Sequence, residues 1–284
     1  MTQLSFKNKW ILITGASSGL GKAIAIHLAR NENANLVLAA RRKPQLEELK
    51  KEIEASSDSL VKIVPTDLSR KEDVENLFQK AVEIADIYAV INNAGLTFYG
   101  RTNMEHIETF EQIIDVNMRA LMILTLRFLS FFKKKGEGAI LNITSEAGLI
   151  PTPYQAIYSA SKHAAQVFTE ALCMENKKNG MTICSFAPGG IATEMLAKSG
   201  LDKKYSFDSP FNMNVDKTAR LAIQAFKRKK FIVVPGFLNK VAVFFVRFFP
   251  RRLVACAVEY IYKLPDEEKC KKMKGVIKKR WNSL

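Results

Sequence analysis

The sequence predicts an α/β fold built on one doubly wound parallel sheet, and three observations carry that prediction. Short runs that are apolar throughout alternate with helical segments, the pattern of strands buried on both faces. The first run ends in a glycine-rich turn, Gly15 to Gly21, just before helical spacing begins. The motifs around Asn93, Ser145 and Pro188 fall at the ends of predicted strands, where such sheets bind ligands.

The elements follow in order. Residues 10–14 (WILIT) are an apolar run ended by Gly15 and read as a buried strand. Residues 21–30 place Ile24, Ala25 and Leu28 on one side of a helix. Residues 35–40 are a second strand and 44–56 a charged amphipathic helix. A third strand is expected at 60–64, a helix at 71–84, and a fourth strand at 88–92. Long helical material spans 105–135, followed by a fifth strand at 139–144, a helix at 154–178 and a sixth strand at 181–187. Residues 231–234 offer a seventh. With no internal linker and no repeat, residues 1–236 read as one domain and 237–284 as a basic, apolar helical extension.

The net charge of +15 is uneven. Residues 227–284 hold 16 Lys and Arg against 4 Asp and Glu, whereas the first 226 residues are nearly balanced. This asymmetry points the tail toward an anionic partner or surface. Cys173, Cys184, Cys256 and Cys270 show neither metal-ligand spacing nor a paired framework, so no metal is expected and the thiols read as reduced. The N-terminus lacks a signal-peptide core and no apolar run is long enough to span a bilayer. A cytoplasmic location follows as the expectation.

Two motifs point to a dinucleotide. In Thr14-Gly15-Ala16-Ser17-Ser18-Gly19-Leu20-Gly21 the glycines permit a tight turn and close approach of a phosphate. The helix that follows offers free N–H groups and a positive dipole end. The second strand ends in Ala39-Ala40-Arg41-Arg42. An acidic residue there would bind the ribose hydroxyls of NAD and repel a 2′-phosphate. Two guanidiniums fit that phosphate instead, so NADP(H) is expected in preference to NAD. Tyr158 and Lys162 lie four apart, on one face of a helix. An ammonium held beside a phenol favours the phenolate and suits the tyrosine to proton transfer near neutrality.

The chain resembles the short-chain dehydrogenase/reductase family over residues 6–235. The resemblance rests on Thr14-Gly15-x-x-x-Gly19-x-Gly21, Asn92-Asn93-Ala94-Gly95, Asn117, Ser145, Tyr158-x-x-x-Lys162 and Pro188-Gly189. Val234-Pro235-Gly236 followed by a basic apolar helix is similar to a bacterial subgroup of uncertain substrate. The resemblance implies a Rossmann-type sheet and assigns roles residue by residue. Tyr158 would be the acid/base for the carbonyl oxygen. Lys162 would lower the tyrosine's pKa and bind the nicotinamide ribose. Ser145 would donate to the substrate oxygen, and Asn117 would hold a water linking Lys162 to solvent. Asp67, beside Leu68, would bind the adenine amino group, while Asn93, Ala94 and Gly95 line the cofactor's middle. Pro188, Gly189, Ile191 and Thr193 would cradle the nicotinamide. Some NADP-binding relatives carry a basic residue before the second glycine; Ser18 stands there in this chain, so the cofactor expectation rests on Arg41 and Arg42. A homodimer or homotetramer is implied as well.

These residues imply an NADPH-dependent carbonyl reductase, in reverse an alcohol dehydrogenase. An epimerase or dehydratase on the same fold and a cofactor-sensing binding protein with a vestigial site remain alternatives. The full set Asn117, Ser145, Tyr158 and Lys162 argues for hydride exchange. His163 points about 100° around the helix from Lys162 and reads as structural. Glu146 reads more readily as a surface carboxylate than as a substrate contact. Phe98, Tyr99, Pro151 and Tyr154 are candidates for a pocket wall. Met195, Leu196, Leu201, Phe207, Phe211 and Met213 make the segment after the nicotinamide loop apolar and suggest a hydrophobic substrate, such as a long acyl or lipid carbonyl. In the tail, residues 237–249 (FLNKVAVFFVRFF) and 253–262 form apolar stretches, with a basic cluster at 269–280 and Trp281 after it. This composition fits either peripheral contact with a membrane surface or packing on protein. No nucleic-acid module is present, so no specific nucleic-acid partner is expected.

Overall fold

The computed structural model describes residues 3–177, 180–191 and 212–263. Seven parallel strands form one sheet in the order β3-β2-β1-β4-β5-β6-β7. They are β1 (Trp10–Thr14), β2 (Asn35–Ala40), β3 (Val61–Pro65), β4 (Ile87–Asn92), β5 (Ala139–Ile143), β6 (Thr182–Phe186) and β7 (Ile232–Val233). The order reverses between β1 and β4, which opens a crevice at their carboxyl ends. Central strands are apolar because helices cover both faces: every residue of β5 and β6 is buried. Pro65 ends β3 at the sheet edge, where a missing N–H costs no ladder bond.

The helices are α1 (Gly19–Glu32), α2 (Lys43–Glu54), α3 (Lys71–Ile84), α4 (Ile107–Ile114), α5 (Leu121–Lys135), α6 (Ala156–Glu175), α7 (Val215–Lys227), α8 (Phe237–Val246) and α9 (Arg251–Tyr262). One core layer joins α1, α2 and α7 to the sheet through Ile24, Leu28, Leu46, Ile223 and Phe226. The other joins α3 and α5 through Leu77, Leu124, Phe128 and Phe132. Burying one such aromatic or leucine side chain stabilises the fold by about 1.5–3 kcal/mol.

The sequence pattern gave the strands closely and the helices less so. The stretch 105–135 is not one helix. A 3₁₀ turn (Met104–His106) precedes α4, and a π-helical turn (Asp115–Ala120) separates α4 from α5. The helix expected from residue 154 starts at Ala156, because Tyr154 sits in the left-handed region at φ 63°. Helix α7 was not anticipated. Its signal is the Asn214 cap, whose Oδ1 accepts from the N–H groups of Asp216 and Lys217 at 2.9 and 3.0 Å. The tail splits at Pro250 into α8 and α9, as its sequence suggests. Each buries only a narrow strip, Asn239 and Val243 on α8, Val254 and Val258 on α9.

Candidate active site

The crevice is a cavity of about 490 Å³ at the carboxyl ends of the strands. Of the residues expected to bind cofactor, every described one except Gly21 lines it; Thr193 lies outside the described residues. Gly21 lies beneath the turn instead. A Cβ there would stand 2.3 Å from the Gly15 carbonyl oxygen, and one on Gly15 would stand 2.7 Å from Ala94 Cα. Gly15 also has φ 66°, a conformation that suits glycine. Two strand ends are thereby clamped together. Thr14 Oγ1 accepts from the N–H groups of Asn93 and Ala94 at 3.0 and 3.1 Å, and Asn93 Nδ2 donates to the Thr14 carbonyl at 3.0 Å.

This cradle fits a dinucleotide. Helix α1 has no acid in its first turn, so its positive end is left for an anion. Arg41 and Arg42 line the same end of the cavity, and Arg42 donates to Ser17 Oγ at 3.3 Å. Asp67 also lines it, with Oδ1 accepting from the Ser69 N–H and hydroxyl at 3.1 and 2.8 Å.

At the other end, Ser145, Tyr158 and Lys162 face one space. Ser145 follows β5 in extended conformation and its Oγ accepts from the Ala147 N–H at 3.2 Å. Tyr158 and Lys162 come from α6. Ser159, between them, donates to the Ala147 carbonyl at 2.7 Å and so ties the serine loop to that helix. Lys162 is buried, and its ammonium donates to the Ile143 carbonyl at 3.0 Å.

The electrostatics depart from expectation at the tyrosine. Burial pushes the Tyr158 phenol above its ordinary pKa, and the hydrogen bond with Ser145 pulls it only partly back. Lys162 Nζ is 6.0 Å from the ring centroid. Burial lowers Lys162 itself to about 8. In the chain alone, desolvation of the phenolate therefore outweighs the hydrogen bond with Ser145, and Tyr158 is a neutral phenol at pH 7.

Asn117 lies in the π-helical turn and is completely buried rather than cavity-lining. Its Nδ2 donates to the Leu96 carbonyl at 2.8 Å and Ser161 Oγ at 3.1 Å, while Oδ1 accepts from the Leu96 N–H at 2.7 Å. π-Turns of this kind occur often at functional sites. His163 Nδ1 bonds back to the Ser159 carbonyl at 2.9 Å, in keeping with a structural part.

The polar network beneath the site was not visible in the sequence. Asn92 Nδ2 donates to Asn142 Oδ1 at 2.8 Å and Thr125 Oγ1 at 3.0 Å, and Asn142 Nδ2 donates to Thr169 Oγ1 at 2.9 Å. This buried network ties β4, β5, α5 and α6 together beneath the motifs. The pocket wall also differs from expectation. Among the described residues it is formed by Ile150, Thr152, Gln155 and Tyr262 rather than by Phe98, Tyr99, Pro151 or Tyr154. Phe98 instead packs on Phe110 and His106. Tyr99 stands behind the wall and donates its hydroxyl to the Tyr262 carbonyl at 2.6 Å. Glu146, expected at the surface, also lines the cavity, and burial raises its carboxyl to about 7. Met213 lies in a bridge with Ile191; the other five apolar residues of its segment, like the 269–280 cluster, lie outside the described residues.

A glycine cradle at a sheet switch point, joined in one cavity to a serine, a tyrosine and a buried lysine, defines a nicotinamide-dependent oxidoreductase. Comparison narrows the class. The family model for short chain dehydrogenases matches residues 9–204, and the chain belongs to the short-chain dehydrogenase/reductase family. It is 37% identical over 196 residues to an uncharacterised oxidoreductase of Listeria innocua, covering 68% of this chain and 78% of that one. It is 31% identical over 205 residues to a very-long-chain 3-oxoacyl-CoA reductase of Anas platyrhynchos, covering 71% of this chain and 64% of that one. A short-chain dehydrogenase from Sphingobium yanoikuyae in complex with NADPH superposes with a TM-score of 0.76 at 30% identity, covering 84% and 94% of the two chains.

Proposed function

We propose that the protein is an NADPH-dependent carbonyl reductase, in reverse an alcohol dehydrogenase, acting on a hydrophobic ketone or aldehyde. The observation that carries this reading is the convergence of Ser145, Tyr158 and Lys162 on the cavity that also holds the Gly15 turn. NADPH, when bound, supplies the hydride. The chain's own groups do the rest. Gly15, Ser17, Ser18, Gly19 and Leu20 offer backbone to the phosphates, and Arg41 and Arg42 a fork for the 2′-phosphate. Ser145 donates to the substrate oxygen and Tyr158, a neutral phenol, gives it a proton. The Lys162 ammonium stabilises the phenolate left behind. Donors fixed in advance where negative charge develops supply the largest share of such a rate enhancement. The Asn117 side chain is committed to Leu96 and Ser161, so a water relay from Lys162 would use its backbone carbonyl.

Ile150, Ile191 and Leu96 make the cavity wall largely apolar, which supports a hydrophobic substrate. The likeness to a very-long-chain 3-oxoacyl-CoA reductase supports an acyl chain. The tail supports delivery from a lipid surface. Phe237 and Phe248 are 80% and 70% exposed, and the rings of Phe244 and Phe245 on α8 cluster with that of Phe248 in the turn after it. Lys240, Arg247, Arg251 and Arg252 flank them, all exposed. An exposed apolar face bordered by cations fits an anionic membrane surface. No described helix is long and apolar enough to cross a membrane. A second copy of the same basic face would be repelled. Self-association fits better the uncharged residues Ile123 and Leu126 on α5 and Val167 and Met174 on α6, all exposed.

The test is NADPH oxidation by the full chain against soluble diketones and long-chain 3-keto lipids. Turnover is expected, highest on the long-chain members. Arg41→Ala combined with Arg42→Ala should weaken NADPH far more than NADH. Binding of NADPH with no turnover across the panel would contradict the reductase reading, and equal losses of the two cofactors would contradict the 2′-phosphate assignment.

A further inference from the structure

Beyond Ser145 the cavity runs to an end formed by Glu146, Ile150, Gly189 and Tyr262. Glu146 is held firmly there. Its N–H donates to the Pro188 carbonyl at 3.0 Å, and its own carbonyl accepts from the N–H groups of Leu149 and Ile150 at 2.8 and 3.2 Å. The carboxyl packs against Gly189, where a Cβ would stand 2.8 and 2.9 Å from its two oxygens and 2.5 Å from Nδ2 of buried Asn239 on α8. Only glycine at 189 leaves room for both side chains.

Glu146 Oε1 is buried and has no hydrogen-bond partner among the described residues, and no described Lys or Arg forms an ion pair with this carboxyl. A buried carboxyl that serves only the fold is paired or hydrogen-bonded. Glu146, half-buried as a whole, lines the cavity that also holds the serine and tyrosine of the site. Tyr262, at the end of α9, closes the same end and lies within electrostatic range of both Glu146 and Tyr158.

We propose that Glu146 is a specificity-determining residue. It selects carbonyl substrates that carry an uncharged hydrogen-bond donor, a hydroxyl, near the reacting carbonyl, and Tyr262 confines that group from the tail side. The assignment rests on the carbonyl-reductase reading and refines its substrate class: a hydroxylated ketone with an apolar remainder rather than a plain ketone. A site built to bond a hydroxyl discriminates against the analogue that lacks it, because its own polar group is then left unpaired.

The probes are a medium-chain 2-alkanone and its 1-hydroxy, 3-hydroxy and 4-hydroxy counterparts. Two readouts are taken on wild type, Glu146→Gln and Glu146→Leu: kcat and KM for NADPH oxidation, and ligand-induced change in bound-NADPH fluorescence. The second readout is repeated in a Tyr158→Phe background, where it needs no turnover. Wild type should favour at least one hydroxylated member by about tenfold or more. Glu146→Leu should erase that preference mainly through KM, and Glu146→Gln, which keeps an acceptor oxygen, should retain part of it. A fluorescence preference without turnover would uphold Glu146 and sink the reductase reading. Equal treatment of all four ligands by wild type, or a preference unchanged in Glu146→Leu, would overturn the assignment whatever the turnover.

Discussion

At the scale of single residues, burial sets the chemistry more than charge pairing does. Tyr158 is pushed up and Lys162 down by the same cause, so the pair is poised as phenol and ammonium rather than as phenolate. Glu146 follows the same rule, raised from 4.5 to about 7 by burial. Its titratable neighbours include Tyr262, itself pushed up to about 12, and Tyr158. Both are neutral over the range in which Glu146 titrates. The folded state therefore holds a proton on Glu146 that the unfolded state has released between pH 4.5 and 7. The favourable contribution is complete below 4.5 and is lost as pH rises through 7. Glu146→Gln removes this dependence. Relative to wild type the variant should gain stability from pH 5 to pH 8, by up to about 3 kcal/mol, as read from denaturant midpoints. A wild-type-minus-variant difference that does not change with pH would show that burial does not raise the carboxyl's pKa.

At the scale of elements, the site depends on how α4, α5 and α6 meet the ends of β4 and β5. The π-helical turn carries Asn117 inward, and its amide holds Leu96 at both backbone groups. Asn117→Ala would leave that half-buried N–H and carbonyl without their side-chain partner. It should cost about 1–3 kcal/mol of stability, measured by urea unfolding, and lower turnover as well; a loss below about 0.5 kcal/mol, within the range of ordinary surface substitutions, would contradict the anchoring role. The strands were legible because short, largely apolar and β-branched runs such as 10–14, ended by glycine, mark buried parallel strands. The motifs were legible because glycine, asparagine, tyrosine and lysine keep fixed spacings along one strand end or one helix face. The π-turn was not, since residues 105–135 carry helical periodicity on both sides of it and a one-residue insertion leaves no compositional mark. Nor were the contacts of Tyr262 and Asn239 with the site. They come from the tail, far along the chain, and only tertiary packing brings them to Glu146 and Gly189.

At the scale of the whole molecule, residues 1–226 are nearly balanced in charge, residues 227–284 are strongly basic, and Tyr262 from the basic stretch lines the cavity. Residues from 237 onward should confer binding to anionic vesicles at low salt, with each Lys or Arg near the surface adding about 1 kcal/mol. Truncation before Phe237 should abolish co-sedimentation with phosphatidylserine vesicles, whereas unchanged binding by the truncated chain would remove the tail from that role. The central claim, that Tyr158 transfers the proton in a nicotinamide-dependent carbonyl reduction, is tested most directly by one comparison. Turnover and NADPH affinity are measured on wild type and Tyr158→Phe with the best long-chain keto substrate. The account predicts turnover lost by at least about a hundredfold with NADPH affinity within a few-fold of wild type. Turnover that survives the loss of the hydroxyl would contradict it.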